Sequence, residues 1–265
     1  MDVSEVLDDL VAEQEALDRV VAELDDDQFS LATPSERWSV ADQLGHLTYF
    51  DTTAALAIND AAAFADHKAE LMSTFADELA VDEATLGSFR RSSAAEQLTA
   101  WRHGRLDLEA AARTLADDTR VEWYGPSMGS KSFLTARLME VWAHGQDICD
   151  AVGASRPASD RLRHIAQLGF ITRGWSYVVR GDEPPGVAVR VELVAPSGDE
   201  WTWGDDDAAD TITGPAEDFC LVVTQRRHVD DTDLAVTGDA ARDWMVKAQA
   251  FAGAPTTGPA SRGTV

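Results

Sequence analysis

Residues 3–24 place Val3, Val6, Leu7, Leu10, Val11, Leu17, Val21 and Leu24 at helical spacing with acids on the opposite face. This spacing predicts a first amphipathic helix. The stretch DDDQFSLATPSERW, 25–38, reads as a loop with a turn around Pro34. Ser39 followed by Asp42 is a capping signature, and it opens a second helix through VADQLGHLTYFDTTAALAI. Residues 60–86 read as one or two shorter helices. Ser93 with Glu96 repeats the capping signature and opens a helix through Leu115. RVEWYGPSMGS, 120–130, is rich in turn formers and reads as a loop. The stretch ARLMEVWAHGQDICDAVG, 136–153, then forms a long helix that stops near Gly153. Four main helices with rather long connections suggest an antiparallel bundle.

After ASRPAS the period changes. Residues 159–180 read as one more helix, and VAVRVELVAP (187–196) and EWTWG (200–204) alternate like strands joined by a hairpin turn. TITG is a short strand, PAEDFCLVVTQRR a helix with acids in its first turn, LAVTG a strand and DAARDWMVKAQAFAG a closing helix. The tail APTTGPASRGTV is rich in Pro, Gly, Ser and Thr and is expected to be disordered. The fold class expected is α+β in two domains: a helical domain over 1–155, a smaller α+β domain over 156–253, and a disordered tail over 254–265.

Composition narrows the partners. A net charge of −25, from 47 acidic and 22 basic residues, argues against nucleic acid and anionic membranes. Lys68, Lys131 and Lys247 are the only lysines, a bias that fits a GC-rich genome or adaptation to salt. No apolar run is long enough to span a membrane, and the acidic N-terminus lacks the features of a signal peptide, so a cytoplasmic location is expected. Cys149 and Cys220 belong to no CxxC pair and read as two buried thiols.

One pair stands out. Glu140 and His144 sit four apart among Leu138, Met139, Val141, Trp142 and Ala143, so they share one helix face. A buried carboxylate needs a partner. A divalent metal would satisfy both groups; an ion pair on a solvated face is the plainer alternative. Of the remaining histidines, His46 is the best placed third ligand, because it lies mid-helix beside Leu44, Leu47 and Phe50. Bundles commonly build metal sites from side chains on facing helices. His103 lies between arginines and is a weaker candidate, His67 and His164 are expected on the surface, and His228 in a loop. GPSMGSKS fails the phosphate-loop pattern, with three residues rather than four between Gly125 and Gly129, and reads as a turn and helix start. In QRRH, Arg226 and Arg227 either face a helix C-terminus or clamp a carboxylate. Trp38, Trp101, Trp123 and Trp142 are expected to pack the bundle.

These motifs carry a resemblance. PSERWSVADQLGHLTYFD resembles the second-helix signature of DinB-like bundles, and ARLMEVWAHGQDICDAVG their metal-binding fourth helix. Together they are similar to the mycothiol-dependent maleylpyruvate isomerases and their actinobacterial relatives. TWGDDDAADTITGPAEDFCLVVTQRR with LAVTGD resembles that family's small sterol-carrier-protein-like domain, and the likeness runs from about residue 3 to 253. It implies a DinB-like four-helix bundle followed by a sterol-carrier-protein-like domain. It also implies metal ligands His46, Glu140 and His144, zinc or another divalent ion with an open position facing a cleft between domains, and mycothiol as thiol co-substrate. The important arginine of the isomerases falls nearest Arg226, with Arg227 as the alternative, and Gln225 stands where many relatives have glycine. VEWYGPSMGSKS and DFCLVVTQRRH resemble a subgroup known mainly as metal-binding proteins without an assigned substrate.

The activity expected is that of a metal-dependent thiol transferase or isomerase acting on a small electrophilic substrate, with or without a carboxylate. Metal-dependent hydrolysis through bound water, a non-catalytic metal-binding role and small-molecule binding by the C-terminal domain are the rivals. Monomer and homodimer are both compatible with the sequence.

Overall fold

The computed structural model describes residues 2–74 and 77–263. The chain divides into two compact units, Met1–Arg156 and Pro157–Val265. Helix and sheet are both present, so the mixed α and β class holds.

The first unit contains helices α1 (Val3–Val21), α2 (Asp26–Phe29), α3 (Val40–Asn59), α4 (Ala61–Met72), α5 (Glu78–Arg90) and α6 (Ala94–Ala112). A two-stranded antiparallel hairpin follows, β1 (Arg120–Val121) with β2 (Met128–Gly129), and then α7 (Ser130–Val152). The long helices α1, α3, α6 and α7 pack on one another, with α3 against α6 and α7 and α1 against α7 and α6. Val6, Leu7, Leu10 and Leu17 of α1 are buried there with Leu44 and Leu47 of α3, Trp101 and Leu108 of α6, and Leu134 and Leu138 of α7. Each fully buried Leu contributes about 1.5–3 kcal/mol relative to exposure.

The caps follow the sequence. Ser39 accepts from the Asp42 N–H while Asp42 returns a bond to the Ser39 backbone, and Ser93 and Glu96 do the same. Gly153 ends α7 in the left-handed region at φ 68°. Within the stretch expected as loop at 25–38, Asp25 and Gln28 form a further capping box that starts the one-turn helix α2. The 120–130 stretch is likewise more ordered than a loop. Arg120 pairs with Gly129 and Val121 with Met128, and the Arg120 guanidinium also bonds to Ser127 across the turn.

Two glycines leave room for side chains beside the candidate ligands. A Cβ on Gly45 would lie 3.1 Å from Phe89 of α5, and one on Gly145 would lie 2.7 Å from Arg156. A buried ion pair joins three helices: Arg137 of α7 lies 2.8 Å from Asp51 of α3, which also accepts from Gln14 of α1 at 3.2 Å. The Arg137 and Asp51 side chains are 4% and 0% exposed.

The second unit holds α8 (Leu162–Ile171), α9 (Arg173–Val178), β3 (Val189–Val194), β4 (Glu200–Trp203), β5 (Asp210–Pro215), α10 (Ala216–Val223), a 3-10 turn at Val229–Asp231, β6 (Ala235–Thr237) and α11 (Asp239–Lys247). The sheet order is β4-β3-β5-β6; β3 runs parallel to β5, and the other pairs are antiparallel. The single helix expected over 159–180 is divided at Thr172. Its hydroxyl bonds back to Leu168 and Gly169 carbonyls, and its backbone leaves helical geometry. The closing helix stops at Lys247, because the backbone N–H groups of Gln249 and Ala250 donate to Ser176 and Val223 instead. Residues 254–263 form no helix or strand, yet Thr256 bonds to Gln249 and Gln225, and Arg262 to Asp231.

Both cysteines are buried and free. No helix among the described residues is long and apolar enough to cross a membrane.

Candidate metal centre

Helix α3 presents Gln43, His46 and Phe50, and α7 presents Arg137, Glu140 and His144, each set on one helix face. The two faces meet. His46 Nε2 lies 3.2 Å and His144 Nε2 3.0 Å from the same oxygen, Oε2 of Glu140. The three ligand atoms all lie within 4.8 Å of one another. Tetrahedral zinc with bonds of about 2.0–2.1 Å separates its ligand atoms by roughly 3.4 Å, close to the His–Glu distances here. The side chains are 16% (His46), 23% (Glu140) and 12% (His144) exposed, so the cluster is shielded but reachable.

The far side of His144 is fixed. Its Nδ1 lies 2.5 Å from Oε1 of the fully buried Gln43. The Gln43 amide is oriented in turn, because its Nε2 donates to Thr33 Oγ1 at 2.8 Å while Thr33 donates to the Trp38 carbonyl at 2.9 Å. Gln43 therefore presents an acceptor, and His144 Nδ1 must carry the proton. In the neutral ring the lone pair then sits on Nε2, aimed at a carboxylate oxygen. A proton or a metal ion must therefore lie between these two atoms, 3.0 Å apart.

The surroundings favour ligand protonation states. Burial and the neighbouring His144 push the His46 imidazole down to about 4, so its nitrogen stays neutral at pH 7. Burial opposes charge on Glu140, but the hydrogen bonds from His144 and His46 overcome it and hold its carboxyl well below the usual range. Aromatic rings wall the imidazoles: Trp38 stands 5.1 Å from His46 and 5.9 Å from His144, and Phe50 4.6 Å from His46, ring centre to ring centre.

The other expected site residues come from other parts of the chain. Arg226 and Arg227 belong to the second unit, beyond the end of α10 rather than in its last turn. Arg226 Nη1 donates to the Thr224 carbonyl at 2.7 Å, and Gln225 adopts φ 61°, which explains the suitability of glycine there. His103 is exposed. His67 and His164, expected on the surface, are not surface residues: His164 is buried, and His67 is half-buried with its ring nitrogen between two tyrosines. Charged neighbours in sequence concealed this, because they occupy other helix faces. Gln43 was missed as well. Its position one turn before His46 was the available signal. Of the tryptophans expected to pack the bundle, Trp101 and Trp142 are buried, whereas Trp38 lines the candidate centre.

A family model described as the mycothiol maleylpyruvate isomerase N-terminal domain matches residues 10–149, more than half of the chain, and includes all three clustered residues. The chain belongs to this family. An uncharacterized protein found in two strains of Mycobacterium tuberculosis is 45% identical over 252 residues, covering 94% of this chain and 96% of the relative. Crystal structures of the mycothiol-dependent maleylpyruvate isomerase and of a mutant of it align over 91% of this family member and 94% of their own chains, with a TM-score of 0.59. At 17% identity that likeness is one of fold. A second model, described as wyosine base formation, matches residues 185–237, the strand-rich part of the second unit.

Proposed function

We propose that this chain is a divalent-metal protein, with zinc as its ion, that uses mycothiol to isomerise or transfer a thiol to a small electrophilic substrate. The ligands are His46, Glu140 and His144. The observation that carries the reading is the approach of two imidazole nitrogens to one Glu140 oxygen, at 3.2 and 3.0 Å, with the opposite nitrogen of His144 pinned by Gln43. Three protein ligands leave a position open, as in catalytic rather than structural zinc sites. When bound, the ion would favour the thiolate form of a coordinated thiol at neutral pH.

The chain's own residues supply orientation and enclosure. Gln43 holds the His144 ring, and Trp38 and Phe50 restrict water around the imidazoles. Arg226, with Arg227 as alternative, would steady a substrate carboxylate. We read the helical unit as a DinB-like four-helix bundle and the second unit as sterol-carrier-protein-like. The match to the isomerase family model supports the first reading, and the fold likeness to the isomerase supports both. A cytoplasmic location fits a reaction that draws on an intracellular thiol.

The test is titration of cobalt-substituted protein with mycothiol. The reading expects a thiolate-to-cobalt absorption band that saturates at about one thiol per chain. An unchanged spectrum at saturating thiol contradicts it and leaves water as the ligand of the open position, the arrangement of a hydrolase.

A further inference from the structure

Residues 254–263 carry no helix or strand, and their composition predicts disorder. The second unit nevertheless ties them down at two places. At the first, the Thr256 carbonyl accepts from the Gln225 amide at 3.2 Å and from the Arg180 guanidinium. The Thr256 hydroxyl donates to Gln225 Oε1 at 2.5 Å, and its N–H to Gln249 Oε1 at 3.3 Å. At the second, Asp231 accepts from the Arg262 N–H at 2.9 Å and from the Ser261 hydroxyl at 3.3 Å. Between the two, Gly258 passes so near Gln225 that a Cβ there would lie 3.3 Å from its side chain.

These anchors bracket the turn QRRH and its continuation. Gln225 and Asp231 stand on either side of Arg226, Arg227 and His228. Thr257, Gly258 and Pro259 face Arg227, His228 and Val229 across a gap that leaves about 10 Å³ for the centre of a water, room for roughly one molecule. The tail therefore fills the approach to Arg227.

The backbone beside the arginines is strained. Gln225 is held at φ 61°, in the left-handed region, and Arg37 is the only other non-glycine residue there among the described residues. Such a conformation persists where its surroundings over-determine it. Here the side chain makes three bonds, all to the C-terminal segment: its amide donates to the Ala248 and Thr256 carbonyls, and its Oε1 accepts from the Thr256 hydroxyl. The tail itself carries no large apolar side chain, so it can release without exposing a core.

We propose that residues 255–263 are a releasable strap, clamped by Gln225 and Asp231, that closes access to Arg227 and its neighbour Arg226. Where these arginines steady a substrate carboxylate, the strap decides when they are available; that consequence rests on the function proposed above, whereas the strap does not.

The experiment compares the full chain with a version ending at Ala254 and with Gln225→Gly and Asp231→Ala, each checked for an unchanged melting profile. Arginines are modified with phenylglyoxal and followed by peptide mass spectrometry, with the exposed Arg242 as internal reference. Each net hydrogen bond disfavours release by roughly fivefold, so Arg227 should react about tenfold faster in the shortened chain, while Arg242 reacts equally in both. Gln225→Gly and Asp231→Ala should each give a smaller rise. Equal rates for Arg227 in the full and shortened chains overturn the strap. A rise in the shortened chain alone overturns Gln225 and Asp231 as its clamps. Succinate, as a carboxylate probe, should slow modification of Arg226 or Arg227 in the shortened chain and not in the full one. Equal protection in both also overturns the strap. Faster modification without protection by succinate leaves the strap standing and overturns the carboxylate role of these arginines.

Discussion

Gln43 Oε1 accepts from His144 Nδ1 at 2.5 Å, and this one contact decides which nitrogen of His144 faces Glu140. Groups that orient a metal-binding imidazole typically contribute 10–100-fold in metal affinity. Gln43→Leu removes the acceptor and should weaken zinc binding by about that factor in a chelator competition. Gln43→Glu keeps an acceptor in place and should restore most of it. Equal loss in both variants would point to packing of this buried position rather than to orientation of the ring.

The buried Asp51–Arg137 pair makes a separate prediction about stability. Removing one partner strands a charge in the core, which costs about 3–5 kcal/mol. Asp51→Ala should therefore lower the denaturation midpoint steeply. Asp51→Leu combined with Arg137→Met removes both charges and should cost less than Asp51→Ala alone. Additive losses in the double variant would contradict this account of the pair.

Acid should destabilise the metal-free protein through His46. Its folded imidazole titrates near 4 and its unfolded one near 6.5, so between those values the unfolded chain binds the extra proton. The associated stability is complete above about 6.5 and is lost as pH falls toward 4; the shift corresponds to on the order of 3 kcal/mol. Glu140 acts in the same direction, with its contribution lost as pH falls below the ordinary carboxylate range. Urea unfolding of metal-free wild type should show a midpoint that declines from pH 7 to pH 4.5. His46→Gln should show a shallower decline. Parallel slopes in the two proteins would remove His46 from the explanation.

Gln225 holds a left-handed backbone that disfavours any side chain, and its amide donates to the Ala248 and Thr256 carbonyls. In Gln225→Gly the relaxed backbone, a gain of about 1 kcal/mol, offsets part of the lost bonding. Global stability should change little, while limited proteolysis should cut more readily near Thr256. Unchanged cleavage would show that the other contacts of this segment suffice to hold it.

Much of this architecture was legible because it depends on local signals. Ser39 with Asp42, Ser93 with Glu96, and Gly153 mark helix ends through bonds made within a few residues. Helical spacing placed Glu140 and His144 on one face, and the apolar neighbours of His46 pointed it inward; the fold brings the three within 4.8 Å. What escaped the sequence has local and distant causes. The division at Thr172 comes from side-chain competition with the backbone, the β1–β2 pairing from a short hairpin hidden among turn formers, and the stop after Lys247 from a bond to the distant Ser176. His67 looked like a surface residue because Asp66 and Lys68 flank it, whereas its ring turns toward tyrosines 18 and 57 residues away.

The most direct measurement is the metal content of the purified protein, taken for wild type and for His144→Ala after equal exposure to zinc and removal of excess. The account predicts about one zinc per chain in wild type and a large loss in His144→Ala. Wild-type metal content in His144→Ala would contradict it.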